Sequence, residues 1–170
     1  HVLHALGSAF VIVRVDEITA SGRWTPAILD LSIAIANSRQ DQTYNTPALA
    51  TISMLNSQLE WFLHNGGFAF SAGRCDANAA HVYGWADAHA HATPFVTNPD
   101  QRSTVVATID FDDTVDALAV AATLRENGVL DVEPYRKLGR NQLRIGMFPA
   151  IDPADVSALT SCIEYVVERL

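Results

Sequence analysis

Residues Pro134–Pro149 read PYRKLGRNQLRIGMFP. Four of the chain's eleven basic residues, Arg136, Lys137, Arg140 and Arg144, crowd into nine positions of that stretch, although the formal net charge of the whole chain is -8. An acidic molecule repels a phosphate backbone, so a basic cluster confined to one place argues against a nucleic-acid surface. It suits a small anion held at one point, because guanidinium forks bind carboxylates and phosphates with fixed two-point geometry. The plainer alternative is a set of solvated charges on a hairpin and its flanking strand, where such charges contribute little. Alternation favours the first reading for one residue. Leu143, Ile145 and Met147 fall on one face of an extended Gln142–Phe148, and Arg144, Gly146 and Phe148 on the other. Arg144 therefore shares its face with a residue that has no side chain, which leaves room for a ligand beside the guanidinium.

Around this stretch the sequence predicts a compact unit. Ser103–Phe111 reads as a strand, and Asp113 as the cap of a helix over Thr114–Asn127 that Gly128 ends. Val129–Val132 reads as a short strand, Leu143–Phe148 as another. Asp152 and Pro153 open a last helix with Leu159, Ile163, Val166 and Leu170 on its apolar face. The order β-α-β-β-α implies a small sheet with both helices on one face, an α+β unit. Thr93–Arg102, rich in turn residues, marks a domain junction, with one domain over 1–92 and a second over 93–170.

Upstream, Leu29, Leu31, Ile33 and Ile35 alternate with smaller or polar residues and read as an extended segment. Thr46 and Pro47 read as the cap and first residue of a helix carrying Leu49, Ile52, Leu55, Leu59 and Phe62, stopped by Gly66 and Gly67. A helix start has unsatisfied N–H groups and partial positive charge, so Asn45 and Thr46 there could help hold an anion; a plain cap is the simpler reading. Phe68–His89 continues helical, with Ala72, Cys75, Ala79, Val82 and Ala86 as a core stripe.

Composition narrows the class. At 170 residues, 49% apolar and 18% charged, the chain can bury a sizeable core. Cys75 and Cys162 lie far apart on helical segments and read as reduced thiols of a cytoplasmic protein. His89 and His91, two residues apart and without a carboxylate or cysteine cluster, do not make a metal site. His1–Val13 is apolar but too short to span a bilayer, and it lacks the basic start and cleavage pattern of a signal peptide. The chain starts at His1, which implies processing or a fragment.

Several separated motifs carry a resemblance. SGRWTP (Ser21–Pro26), the run Asn37–Ala48, HNGG (His64–Gly67), TPFVTNPDQRS (Thr93–Ser103), EPYRKLGRNQLRIGMFPA (Glu133–Ala150) and DVSAL (Asp155–Leu159) occur in the order and spacing of phosphoserine aminotransferases of actinobacterial type. The resemblance implies an α/β chain, the C-terminal part of an aspartate-aminotransferase-like fold that depends on pyridoxal 5'-phosphate. Residues up to about Ala92 would be the tail of its large domain with dimer-supporting helices, and the remainder its small α+β domain. It further implies a homodimer that moves an amino group from glutamate to 3-phosphohydroxypyruvate in serine biosynthesis, with small-molecule substrates, no nucleic acid and no membrane.

By the same resemblance Asn45 and Thr46 match an Asn-Thr pair that reaches the phosphate of the partner subunit's cofactor. Arg144 matches the arginine that grips the substrate α-carboxylate. Better-known relatives carry a His-Arg pair just upstream for the substrate phosphate; here the loop reads Tyr135-Arg136-Lys137-Leu138, so Arg136, Lys137 or Arg140 would take that role. Arg102 reads as structural. Lys137 is the chain's one lysine, and the family's Schiff-base lysine would lie in a missing N-terminal half. No catalytic residue is assigned to this chain. Two other readings stay open: a non-catalytic small-anion-binding or dimerisation module, and an inactive fragment.

Overall fold

The computed structural model describes Asp16, Ile18 and residues 22–135 and 137–170. The readings of His1–Val13 and of Arg136 fall outside the described residues. The chain divides into two compact units, one up to Trp61 and one over Phe62–Leu170. No helix among the described residues is long and apolar enough to cross a membrane.

The first unit holds a short 3₁₀ turn at Ala27–Leu29, helix α1 (Leu31–Ser38) and the start of α2 (Leu49–His64). The expected extended segment at Leu29–Ile35 is thus a helix. Asp30 decides it, because its carboxylate accepts hydrogen bonds from the Ser32 backbone N–H at 2.9 Å and the Ser32 hydroxyl at 2.6 Å. A capped run containing Ala34 and Ala36 overrides a four-residue alternation. The expected helix start at Thr46 and Pro47 also moves. Pro47 drives Thr46 away from helical geometry, the Leu49 N–H closes on the Pro47 carbonyl at 2.9 Å, and the helix begins at Leu49. Neither α1 nor α2 buries a residue.

The second unit has one core. Gly66, at φ +110°, turns the chain from α2 into α3 (Gly67–Ala88). Cys75, Ala79, Val82 and Ala86 of α3 recur at helical spacing and are buried. Three antiparallel strands follow in the order β1 (Ala92–Pro94), β2 (Val106–Phe111), β3 (Gln142–Gly146). Ala107, Ile109 and Phe111 of β2 and Leu143 and Ile145 of β3 point into one apolar cluster with α3, α4 (Ala117–Glu126) and α5 (Pro153–Val167). The helices therefore cover one face of the sheet, as the alternation requires.

Three local expectations are corrected. Val129–Val132 is not a strand, because Asp131 adopts φ +65° and breaks the extended run; a single bond from the Arg144 N–H to the Val132 carbonyl, 3.0 Å, is what remains. The third strand is instead Ala92–Pro94, inside and just before the turn-rich Thr93–Arg102. The cap of α4 is Asp116, not Asp113. Its carboxylate accepts from the N–H groups of Leu118 at 2.9 Å and Ala119 at 3.1 Å, while Asp112 takes a separate turn with Thr114.

Polar contacts join α3 to α5 beside the apolar ones. Arg74 pairs with Asp152, the Asn78 amide donates to the Ile151 carbonyl at 3.1 Å, His81 Nε2 lies 2.9 Å from the Thr160 hydroxyl, and Trp85 Nε1 donates to Glu164 at 3.0 Å. These four α3 residues follow a four-three-four spacing, one stripe of the helix.

Candidate functional site

The register of β2 and β3 sets Thr108 opposite Arg144 and Ala107 opposite Ile145. Ile145 goes to the core and Arg144 to the open face, where its side chain is exposed. The expected division of this strand between two faces holds. The open space expected beside Gly146 does not, since a Cβ there would lie 3.2 Å from the ring of Phe148. Arg144 instead borders a cleft of about 930 Å³ formed by both ends of α4, the loop after it and the start of β3.

Three arginines line that cleft: Arg125, Arg140 and Arg144. Arg125 pairs through Nε with Glu133 and through Nη2 with Asp131, the latter at 3.1 Å. Arg140 forks onto Asp110 and stacks over Phe95, 4.9 Å from the ring centroid. Asp110 is further tied to the buried Gln142, whose Nε2 donates at 2.7 Å. Arg144 is the one of the three whose side chain makes no hydrogen bond or ion pair with a described residue. An unpaired guanidinium in a cleft is the group a carboxylate would meet with two parallel bonds.

The other expected site residues separate from it. Arg140 lines the cleft, but Asp110 already neutralises it, so it is a poor candidate for a substrate phosphate. The same pairing raises its pKa, through the hydrogen bond to Asp110. Lys137 is exposed on the turn closed by Leu138 N–H to Tyr135 C=O, 2.9 Å, and does not line the cleft. Arg102 is structural, forking onto Asp87 at 2.8 and 3.2 Å, donating to the Val96 carbonyl and stacking on Tyr83. Asn45 and Thr46 are exposed in the first unit, ahead of α2 and not in its first turn. Their side chains make no hydrogen bond with a described residue, so both have donors to spare, while the helix-terminus argument for them weakens.

Sequence reasoning missed the acidic residues around Arg144. Glu133 sits near enough for its carboxyl to be held below the usual range, chiefly by the hydrogen bond from Arg125 and also by the charge of Arg144. No spacing rule flags such a pair, because the chain closes it through the loop between α4 and β3. A second polar cluster lies where β1 begins. His91 Nδ1 is 2.9 Å from Asp112 and 3.1 Å from the Thr114 hydroxyl. The Asp112 carboxyl is lowered to about 2, first by the Thr114 hydroxyl and then by His91. No cluster of three or more metal-ligating side chains occurs among the described residues.

A cofactor held as a Schiff base needs a lysine at its aldehyde. The chain's one lysine, Lys137, is on an exposed turn outside the cleft. The residues present fit at most the phosphate end of such a group, through the free donors of Asn45 and Thr46, and do not make a complete site for it.

No family model matches the chain. Among curated proteins it is 58% identical over 166 residues to the phosphoserine aminotransferase of Rhodococcus jostii, and 57% identical over the same length to that of Rhodococcus opacus. Each match takes in 98% of this chain and 44% of the relative, so the chain spans less than half the length of the curated relatives it matches. Among solved structures it resembles phosphoserine aminotransferase from Bacillus circulans subsp. alkalophilus, with a TM-score of 0.75, 21% identity, and 85% of this chain and 38% of that one covered. It also resembles the pyridoxal-phosphate-bound phosphoserine aminotransferase of Trichomonas vaginalis, with a TM-score of 0.66, 17% identity and coverage of 84% and 40%. An aspartate aminotransferase of Thermus thermophilus follows at a TM-score of 0.63 and 16% identity, covering 86% of this chain and 40% of that one. The chain thus shares its fold with part of these aminotransferase structures, covering 38% to 40% of each.

Proposed function

We propose that this chain is the C-terminal part of a phosphoserine aminotransferase and supplies its carboxylate-binding arginine. The carrying observation is Arg144, the one arginine of the cleft left unpaired by described residues. In this reading Arg144 orients the α-carboxylate of glutamate or phosphoserine by a two-point ion pair, and the walls of the cleft hold the rest of the substrate. The whole enzyme would move an amino group from glutamate to 3-phosphohydroxypyruvate, in the cytoplasm, as a step of serine biosynthesis. Pyridoxal 5'-phosphate would supply the electron sink for that exchange, bound mainly by residues of the other half. Asn45 and Thr46 would add hydrogen-bond donors toward the cofactor phosphate of a partner subunit.

Residues 1–92 would then be the tail of the large domain and 93–170 the small domain. In the first unit Trp24 is 87% exposed, Ile28 75% and Leu49 71%, a surface that favours burial against further protein. A homodimer would provide that cover, together with the half of the enzyme that the matched relatives have in addition.

The test is complementation. Co-expression with the segment that precedes this region in the related enzymes should give transaminase turnover that needs added pyridoxal phosphate. Arg144→Ala should lower kcat/KM on the order of a hundredfold, as expected for removing one partner of a desolvated charge pair. Unchanged turnover in Arg144→Ala would remove the role assigned to it. Binding of glutamate or phosphoserine without any cofactor dependence and without turnover would favour a small-anion-binding or dimerisation module instead.

A further inference from the structure

We propose that Arg125 is a positioning residue that keeps Arg144 open to a carboxylate by holding Glu133 away from it. The inference rests on reading Arg144 as the carboxylate-binding group. Its basis is the arrangement of charge in the cleft.

Three acidic residues, Asp116, Asp131 and Glu133, line the same cleft as the three arginines. Asp116 is committed to the backbone N–H groups that start α4. Glu133 follows Val132, which is buried and whose carbonyl receives the Arg144 N–H at 3.0 Å. The backbone therefore fixes Glu133 beside Arg144, close to the guanidinium that a substrate would need. Left alone, those two groups would pair, and an incoming carboxylate would have to displace an internal one.

Arg125 prevents this from the last turn of α4. Its Nε takes Glu133 and its Nη2 takes Asp131, so one guanidinium occupies two carboxylates. Asp131 reaches it from φ +65°, a left-handed conformation uncommon for a residue with a side chain. With Arg140 likewise held by Asp110, Arg144 is the cation of the cleft whose side chain has no hydrogen bond or ion pair among the described residues. Arg125 touches no substrate in this scheme and acts only through Glu133.

The experiment is carried out on the full chain. Arginine side-chain NMR reads the Arg144 Nε–H in the unaltered protein, in Arg125→Ala and in Arg125→Ala with Glu133→Gln. Amide spectra check that each variant folds, and Arg125→Gln, which keeps the stem, carries the same expectation. Loss of Arg125 should let Glu133 capture Arg144, slowing exchange of its Nε–H with water about threefold, the scale of an exposed ion pair. Adding Glu133→Gln should restore the original rate. An Arg144 signal unmoved by both Arg125 variants overturns the proposal, as does a change that persists once Glu133 is neutral. A parallel titration with L-glutamate separates the two readings. Affinity about threefold weaker in Arg125→Ala, recovered in the double variant and lost in Arg144→Ala, supports both. Capture of Arg144 with a glutamate response that ignores Arg144→Ala leaves the ion-pair exchange standing and removes the carboxylate role.

Discussion

Arg140 meets both carboxylate oxygens of Asp110, with Nε 3.2 Å from Oδ1 and Nη2 against Oδ2. Arg144, on the same open face, has no such partner among the described residues. The two residues should therefore respond in opposite ways to truncation. Arg140→Ala should lower stability slightly, because the pair is partly shielded by Phe95 while Asp110 keeps its bond from Gln142. Arg144→Ala should leave stability within about 0.5 kcal/mol, since its exposed side chain has no hydrogen bond or ion pair with a described residue to lose. Urea denaturation of both variants decides this. A larger loss in Arg144→Ala would mean that the guanidinium has a structural partner.

The Asp112 carboxyl, lowered from 3.8 to about 2 by Thr114 and His91, makes a pH prediction. A carboxylate that is more acidic in the folded chain stabilises it at neutral pH, and that contribution disappears as pH falls from about 4 to about 2. Asp112→Asn should flatten the acid limb of stability over that window. Midpoints of urea unfolding between pH 5 and 2, compared with the unaltered chain, provide the check; parallel curves would rule the effect out.

Helix α4 offers a paired test of its cap. Asp116→Ala should cost about 1 kcal/mol, because the bonds to the Leu118 and Ala119 N–H groups vanish. Asp113→Ala, three residues earlier, should cost a few tenths at most. Equal losses would show that the helix starts elsewhere.

The core is most sensitive where the sheet is fully covered. Ile109 and Leu143 are 0% exposed and directly paired across β2 and β3. Ile109→Ala or Leu143→Ala should cost about 2–5 kcal/mol by combining lost burial with a residual cavity. Thermal unfolding of either variant near that of the unaltered chain would contradict the packing.

The two cysteines should differ in reactivity. Cys75 is buried in α3 and its thiol is pushed up by burial, whereas Cys162 is exposed on α5. A thiol reagent at neutral pH should modify Cys162 promptly and reach Cys75 only after denaturation. Mass spectrometry of the labelled peptides distinguishes the two.

How much of this was legible beforehand differs by region. The faces of β3 were readable because strand periodicity has no free parameter once Leu143 and Ile145 go inward. The stripe on α3 was readable for the same reason at helical period. What failed were short signals with two solutions. Leu31 and Ile35 fit both an alternating strand and one turn of helix, and Asp30 settled it through a local hydrogen bond. Asp112, Asp113 and Asp116 all precede α4, and only the closure of Asp112 onto Thr114 moves the cap downstream. The site divided similarly. Arg144 could be found from its face, but Arg140 looked equally available until the fold brought Asp110 across from β2. Arg125 also pairs with Asp131, a left-handed residue that no local pattern marks in advance.

The three-residue strand β1 has a consequence for how this molecule can meet others. The N–H of Phe95 bonds to the Thr108 carbonyl of β2 at 2.9 Å, so the alternate position, Pro94, presents its ring nitrogen outward. This margin of the sheet, one of two, is thus short and lacks a donor at its last residue. Another chain finds little there to align with, and growth of the sheet across this edge is disfavoured from its first step. Association on this side of the sheet proceeds through side-chain surfaces, which are selective where a bare backbone margin is not.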